Sequence, residues 1–464
     1  MNPHRCTSAE QPGSSEARMS APELHEARPT AQEPPLVRGA PVIGSALAYG
    51  RDAPRFLAAC RQRHGDVFTI TVIGQRMTFV LNPHDHLGVL KLQGDLSFSE
   101  LAHEISARAF GHPRLEGELA GAIGRVTSVQ LKGAPLLALT DANQRRLEGW
   151  LDQQPLGDGR PVGLYDLVRR ALFVVGVETL FGEGGWDEAA RADFEKLDAR
   201  FPLLVAGMPA GLLGAAGARK RLGARLVPGR SDASELCRQR AAALDPTYPL
   251  RTQGQVELSL LWAALANTIP AAFWTLAYLV TDPAALARVS EEVRAAGGAA
   301  TSAATPVLQS AVSEALRLTS ASITLRRARR STELPLEGGA VYRVREGDLV
   351  CLFPWLMHHD AEIFEAPEQF RYDRFLAGPD GAPTFSKAGR KLTVPLMPYG
   401  GGVSMCPGRH LANTEIKQFV AALLTRFDLA PAGGALPVPD RRRAGLGVLP
   451  PRGELLVRFT PTRR

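Results

Sequence analysis

Two periodicities run along this chain. Phe68-Thr-Ile-Thr-Val72 and Met77-Thr-Phe-Val-Leu81 are short apolar and β-branched runs on either side of Gly74, which predicts two strands joined by a turn. From about residue 100 to about residue 300 the apolar spacing is mostly helical, broken by glycine-rich stretches such as Gly211 to Gly217. Short strands are expected again around Ile323, Val341 and Leu349. Thr305-Pro306 reads as an N-cap and a first-turn proline, followed by an apolar face of Leu308, Ala311, Val312 and Ala315. Near the C-terminus Ala412, Ile416, Phe419, Val420 and Leu423 recur at three- and four-residue spacing, a second amphipathic helix. The pattern predicts a mainly α fold with small β-sheets to one side.

Leu258 to Val280 carries no charge and is long enough to span a bilayer. Its flanks, Glu257 and Asp282, are acidic, and Asn267, Thr268 and Pro270 sit near its middle, where lipid penalises unsatisfied polar groups. A helix buried at the centre of a large protein is apolar all round for the same reason, and that is the expectation here. Pro270 has no N–H to give the Ala266 carbonyl, so one turn should open, with Asn267 and Thr268 beside the opening and able to bind water or a diatomic ligand. A kink in which Thr268 bonds back to a carbonyl needs no function and stands as the alternative.

Residues 1–33 are polar and rich in Glu, Ala, Pro and Ser, which predicts a disordered tail. They lack the apolar core of a signal peptide and carry too many glutamates for a transit peptide. No linker or repeat divides the rest, so 34–464 is expected to be one domain. The five cysteines (Cys6, Cys60, Cys237, Cys351, Cys406) are widely spaced and contain no Cys-x-x-Cys pair. That argues against a disulfide framework or a zinc site and for a reducing, cytoplasmic setting. The net charge of +7 suits a partner with an acidic face better than nucleic acid, because aromatic-interleaved basic runs are absent. Arg326, Arg327, Arg329 and Arg330 form the densest basic cluster.

Chemistry concentrates in Pro398-Tyr-Gly-Gly-Gly-Val-Ser-Met-Cys-Pro-Gly-Arg409, a glycine-rich loop that brings Cys406 to a helix start. Helix N-terminal N–H groups favour a thiolate there, and Gly402 and Gly408 leave room for a flat ligand. A packing cysteine is the plain alternative; a phosphate cradle fits poorly, since no Gly-Lys-Ser/Thr follows. Upstream, Glu314 and Arg317 are i, i+3 neighbours, and Arg374 lies within Phe370-Arg-Tyr-Asp-Arg-Phe375.

Taken together and in this order, these motifs resemble those of cytochromes P-450. The resemblance implies a fold with a long central helix over haem b and a cysteine loop below it, Cys406 being the axial iron ligand. Tyr399, Gly402 and Gly408 fill the other positions of the loop pattern, while Ser404 replaces its usual basic residue. Ala264-Leu-Ala-Asn-Thr268 is similar to the central-helix motif: Thr268 keeps the alcohol that manages protons, and Asn267 replaces the acid and can only orient water. The resemblance makes Glu314, Arg317 and Arg374 a structural triad and sends Arg326 to a haem propionate. The usual Trp-x-x-x-Arg is missing, with Lys132 a weak substitute. Ala266 to Trp274, Leu316 to Ser322, Phe370 to Phe375 and Arg443 to Pro451 narrow the likeness to the branch of sterol 7α- and 12α-hydroxylases and prostacyclin synthase. The expected activity is insertion of one oxygen atom from O2 into a sterol- or steroid-like substrate. Substrate would be gripped by Phe201 to Pro209, Thr319 to Leu325 and Gly445 to Leu449. Electrons would come from a ferredoxin or flavin reductase, because the chain has no Gly-x-Gly-x-x-Gly fingerprint. With a polar tail where animal members carry an anchor, the chain reads as a soluble, bacterial relative. The rival expectations are an endoperoxide isomerase and a haem sensor without turnover.

Overall fold

A computed structural model describes residues 30–462 apart from 245, 299, 302 and 380. Helices dominate it. The predicted strands Val67–Val72 and Gln75–Val80 pair antiparallel, Phe68 opposite Phe79 and Thr69 opposite Thr78. The two phenyl rings stack at 5.8 Å and the two hydroxyls hydrogen-bond at 2.8 Å. These strands begin a five-stranded sheet that continues through Leu349–Leu352 and Thr324–Ala328 to Leu96–Ser97. In Thr324–Ala328 alternate residues are buried, so Arg326 points into the protein between two neighbours that do not. A smaller sheet joins Phe427–Gly433, Leu456–Pro461 and Pro161–Gly163.

The uncharged segment is the centre of the molecule, and it is two helices rather than one. Leu250–Leu265 ends at Ala266, and Thr268–Thr281 begins after Asn267. Pro270 is the reason, since it removes the donor that would have carried the ladder across Ala266. The second half buries Ile269 to Ala277 without interruption and packs on Leu164–Phe181, Pro306–Thr319 and Arg409–Arg426. Trp274 is enclosed on all sides and donates its Nε1–H to the Leu449 carbonyl at 2.6 Å. Taken as one 32-residue span, Leu250–Thr281 is the one helix among the described residues long and apolar enough to cross a membrane, and 67% of its most apolar window is buried in the fold.

Two sequence expectations shift. Thr305 is not the working cap of Pro306–Thr319: its hydroxyl bonds to the Thr301 carbonyl, and Glu292 caps the helix from a neighbouring element through the N–H groups of Val307 and Leu308, at 2.8 and 2.9 Å. The polar tail also ends earlier than its composition suggests. Gln32 exchanges backbone hydrogen bonds with Val341 and Arg343, and Glu33 pairs with Arg345. Ordering there comes from strand pairing, which needs no apolar side chain. Residues 1–29 of the expected tail lie outside the described residues.

Candidate active site

The cysteine loop is shaped by its backbone. Gly400 and Gly402 adopt φ of 69° and 68°, where L side chains are strained. A Cβ on Gly401 would come within 2.7 Å of Leu90 Cδ1 and 2.9 Å of Met397 Cε. Gly400 and Gly402 are thus required by turn geometry, while a side chain at Gly401 would displace the ends of Met397 and of Leu90 on the neighbouring Pro83–Lys91 helix. Gly408 differs: its φ is −82°, and a Cβ there would meet only Cys406 Sγ, at 3.9 Å. That methyl would fill the space beside the sulfur, which is what a planar ligand against the thiol would need kept free.

Cys406 N–H donates to the Tyr399 carbonyl at 3.0 Å, closing the loop, and the Arg409–Arg426 helix follows with Gly408 at its N-cap. Of the four described cysteines Cys406 alone is exposed; Cys60, Cys237 and Cys351 are core residues. The protein nonetheless crowds the sulfur. Burial pushes the thiol up, opposed by the N–H groups of Gly408 and Arg409 and the Arg409 charge, and burial wins. The loop therefore corrects one expectation: it does not stabilise a free thiolate unaided, and ligation by a cation would have to supply the rest. The Tyr399 phenol is likewise pushed up to about 12 by burial.

Behind the loop lies the ion cluster. Glu314 and Arg317 have no exposure at all, and Arg374 only 8%. Arg317 grips Glu314 in a bidentate fork, Nε to Oε2 at 2.7 Å and Nη2 to Oε1 at 2.8 Å, and Arg374 Nε donates to the same Oε1 at 2.8 Å. The remaining guanidinium protons go to carbonyls: Arg317 Nη1 to His358 at 2.5 Å and Pro367 at 2.8 Å, Arg374 Nη1 to Glu365 at 2.8 Å. His358 carries the connection onward, its Nε2 accepting from Met397 N–H at 3.0 Å, just ahead of the loop. Burial lowers the His358 pKa, so the ring is a neutral acceptor. Sequence reading missed this histidine; no spacing rule links it to the loop.

Arg326 reaches the loop from the sheet, with Nη2 donating to the Gly401 carbonyl at 3.0 Å and its guanidinium 5.7 Å from the Phe98 ring. It is 5% exposed, and among the described residues it has no carboxylate within ion-pair distance. Burial depresses its pKa, the sign of a cation short of a counter-charge. A buried cation beside an exposed thiol fits a ligand that carries its own carboxylates. Lys132 is exposed at the start of the Gly133–Asp152 helix, near His410, whose pKa is lowered by burial first and then by the Arg409 and Lys132 charges.

At the break between the central helices, Thr268 Oγ1 donates to the Ala264 carbonyl at 2.7 Å. Its oxygen keeps acceptor capacity, though its proton is committed. Asn267 is turned elsewhere: its Oδ1 accepts Val448 N–H at 2.9 Å. The structure therefore separates two residues that the sequence put together as one proton-handling unit. Gly445–Leu449 is in turn zipped to 319–323, Ala321 N–H donating to Gly447 O at 2.9 Å and Gly445 N–H to Ala321 O at 2.7 Å. Phe201, expected in a gripping loop, is instead buried near the end of the Glu188–Val205 helix and stacked on Trp262 with ring centroids 3.7 Å apart. Trp262 Nε1 donates to Asp198, which also holds Arg443 at 2.8 Å.

Residues 254–457 match the model of the cytochrome P450 family. A rabbit (Oryctolagus cuniculus) protein named cytochrome P450 7A1 is 35% identical over 468 residues, covering 92% of this chain and 93% of the relative. The chain belongs to the cytochrome P450 family. The Cricetulus griseus cholesterol 7-alpha-monooxygenase is 34% identical over 93% of this chain and 94% of its own length. The human 7-alpha-hydroxycholest-4-en-3-one 12-alpha-hydroxylase is 32% identical over 94% of each. The structure of a retinoic acid-bound cyanobacterial CYP120A1 superposes with a TM-score of 0.73 at 20% identity, covering 93% of this chain and all of that one, which shows the fold. This P450 is accordingly a monooxygenase with haem b as its cofactor, and the exposed thiol, the space at Gly408 and the unpaired Arg326 suit that group.

Proposed function

We propose that this P450 hydroxylates a sterol or a steroid-like lipid, inserting one oxygen atom from O2 with electrons from an external ferredoxin or flavin reductase. The observation that carries the reading is likeness to sterol hydroxylases over more than nine-tenths of the chain, with about a third of residues identical. Cys406 would hold the iron. Arg326, with Lys132 nearer the surface, would meet the propionates, and Tyr399, Gly402 and Gly408 would shape the bed. When bound, haem b supplies the oxygen-activating chemistry, to which a thiolate ligand contributes electron density. The protein's own tasks are then to keep that sulfur in place, exclude water and hold a proton near the reacting oxygen. The first falls to the Glu314–Arg317–Arg374 cluster acting through His358 and Met397 N–H. The last falls to Thr268 Oγ1, positioned by the Ala264 carbonyl beside the opening made by Pro270. Residues 34–464 act as one domain in this reading, and the net charge of +7 suits an electron donor with an acidic face.

The test is reconstitution of the purified protein with a steroid panel, a ferredoxin system and a flavin reductase. Hydroxylated product that requires both reductant and O2 supports the reading. Turnover of a lipid endoperoxide without reductant, or a second permanent protein ligand on the iron in the resting spectrum, overturns it in favour of an isomerase or a sensor.

A further inference from the structure

Asn267 sits on the break between the two central helices, and its side chain is occupied. Oδ1 accepts Val448 N–H at 2.9 Å, and the residue before Val448 is Gly447, at φ 148°. A Cβ on Gly447 would lie 1.9 Å from Asn267 Oδ1 and 2.7 Å from Cγ. Contact this close is built in: the turn presses its backbone against one amide, and only glycine allows it.

The turn has a further hold at Leu449, whose carbonyl accepts from Trp274 Nε1–H and whose N–H donates to the Thr319 carbonyl at 2.9 Å. Between these anchors Leu446 and Val448 stay half-buried against the main core. Asn267 therefore reaches the turn from the helix break, at the position next to Thr268. An amide can accept this N–H while remaining neutral, so it carries no proton-delivery duty in doing so.

We propose that Asn267 is a positioning residue that clasps the Gly445–Leu449 turn to the helix opening and so sets which substrate carbon is presented for attack. Proton handling is left to Thr268. The proposal deepens the sterol hydroxylase reading, and it rests on that reading for the choice of substrate and for the turn's place beside it.

The test uses the full-length haem-loaded protein and three variants, Asn267→Leu, Asn267→Asp and Gly447→Ala. Hydrogen–deuterium exchange of peptides covering 444–449 reports the clasp without turnover. Loss of one backbone-to-side-chain hydrogen bond should speed Val448 exchange about five- to tenfold in Asn267→Leu and Gly447→Ala. Asn267→Asp, which keeps the acceptor, should match the parent. With a steroid that is turned over, Asn267→Leu and Gly447→Ala should spread hydroxylation over additional carbons, while Asn267→Asp keeps the parental product. Should Gly447→Ala fail to load haem, the Leu and Asp pair at 267 decides alone. Parental exchange in Asn267→Leu overturns the clasp. A parental product pattern with raised hydrogen peroxide returns Asn267 to proton handling and overturns the proposal. If no steroid is turned over, the sterol reading falls, while hydrogen exchange still decides whether the clasp exists.

Discussion

Glu314→Ala removes the carboxylate that two buried guanidiniums share. In the parent that carboxylate accepts two bonds from Arg317, one from Arg374 and one from Arg371 N–H at 3.2 Å. Arg317 and Arg374 keep their carbonyl partners in the variant, so each cation stays hydrogen-bonded on one edge and loses its counter-charge on the other. Breaking a buried pair from one side typically costs ~3–5 kcal/mol, because the remaining charge is left in a poorly solvating interior. An unfolding entropy of about 2.1 cal/mol/K per residue over a chain of this length gives on the order of 1 kcal/mol per degree, so the midpoint should fall by about 3–5 °C. Arg374→Ala should cost less, about 1.5–3 kcal/mol, because Glu314 keeps the bidentate fork of Arg317.

The assay is thermal unfolding followed by circular dichroism on the haem-loaded protein, with haem content read from the reduced carbon monoxide spectrum. Glu314→Ala should lose both stability and haem, since Arg317 also holds the His358 carbonyl and His358 Nε2 holds Met397 N–H. Glu314→Gln, which keeps shape without charge, should fall between parent and Glu314→Ala. An unchanged midpoint with full haem in Glu314→Ala, or Arg374→Ala costing more than Glu314→Ala, would refute the reasoning.

Cys406→Ser should abolish the red-shifted thiolate spectrum under carbon monoxide; an unchanged spectrum removes the ligand assignment. Thr268→Ala should keep consuming reductant while product falls and hydrogen peroxide rises, and an unaltered ratio of product to reductant would take the proton role from this hydroxyl. Arg326→Leu should lower haem retention in dilution experiments and leave the fold intact, because among the described residues its side chain hydrogen-bonds only the Leu325 and Gly401 carbonyls; full retention would sink the propionate role. Burial pushes the Glu415 carboxyl up to about 8. The fold then favours its protonated form, so this group's contribution is full below the unfolded pKa of ~4.3 and is lost as pH rises toward 8. Glu415→Gln should show a smaller fall in midpoint between pH 5 and pH 8 than the parent; parallel curves would contradict it.

The features legible in the sequence are those in which a residue's neighbours along the chain are also its partners. The bidentate fork of Glu314 and Arg317 is an i, i+3 pair on one helix, and Pro270 announces the helix break through a missing N–H. Strand pairing around Gly74 follows from two short runs and a turn. Contacts between distant segments left no such signal. Glu292 capping Val307, His358 holding Met397, and Asn267 holding Val448 join elements whose approach only the packed core decides. Gln32 belongs with these contacts: its order comes from backbone pairing with Val341 and Arg343, which composition does not register.

The cluster behind the cysteine loop and the turn over the helix break are held on different principles, and that difference bears on what evolution can change. Beneath the loop, charged side chains end on main-chain carbonyls of residues 358, 365 and 367, so the cluster itself leaves side-chain identity free at 365 and 367, while His358, whose ring holds Met397 N–H, and the three ion-pair members are not free. Over the helix break, a turn is held by its own backbone groups at Gly445, Gly447, Val448 and Leu449. There the two glycines and Asn267 are fixed by geometry, while Leu446 and Val448 are held in place without being specified. If the turn borders substrate as proposed, a new substrate shape would be met at 446 and 448 without disturbing either the clasp or the cluster behind Cys406. Exchanging Leu446 or Val448 for larger or smaller apolar residues should shift which steroid binds while haem content and thermal midpoint stay near parental. Loss of haem in such variants would show that the turn and the cluster behind Cys406 are mechanically coupled after all.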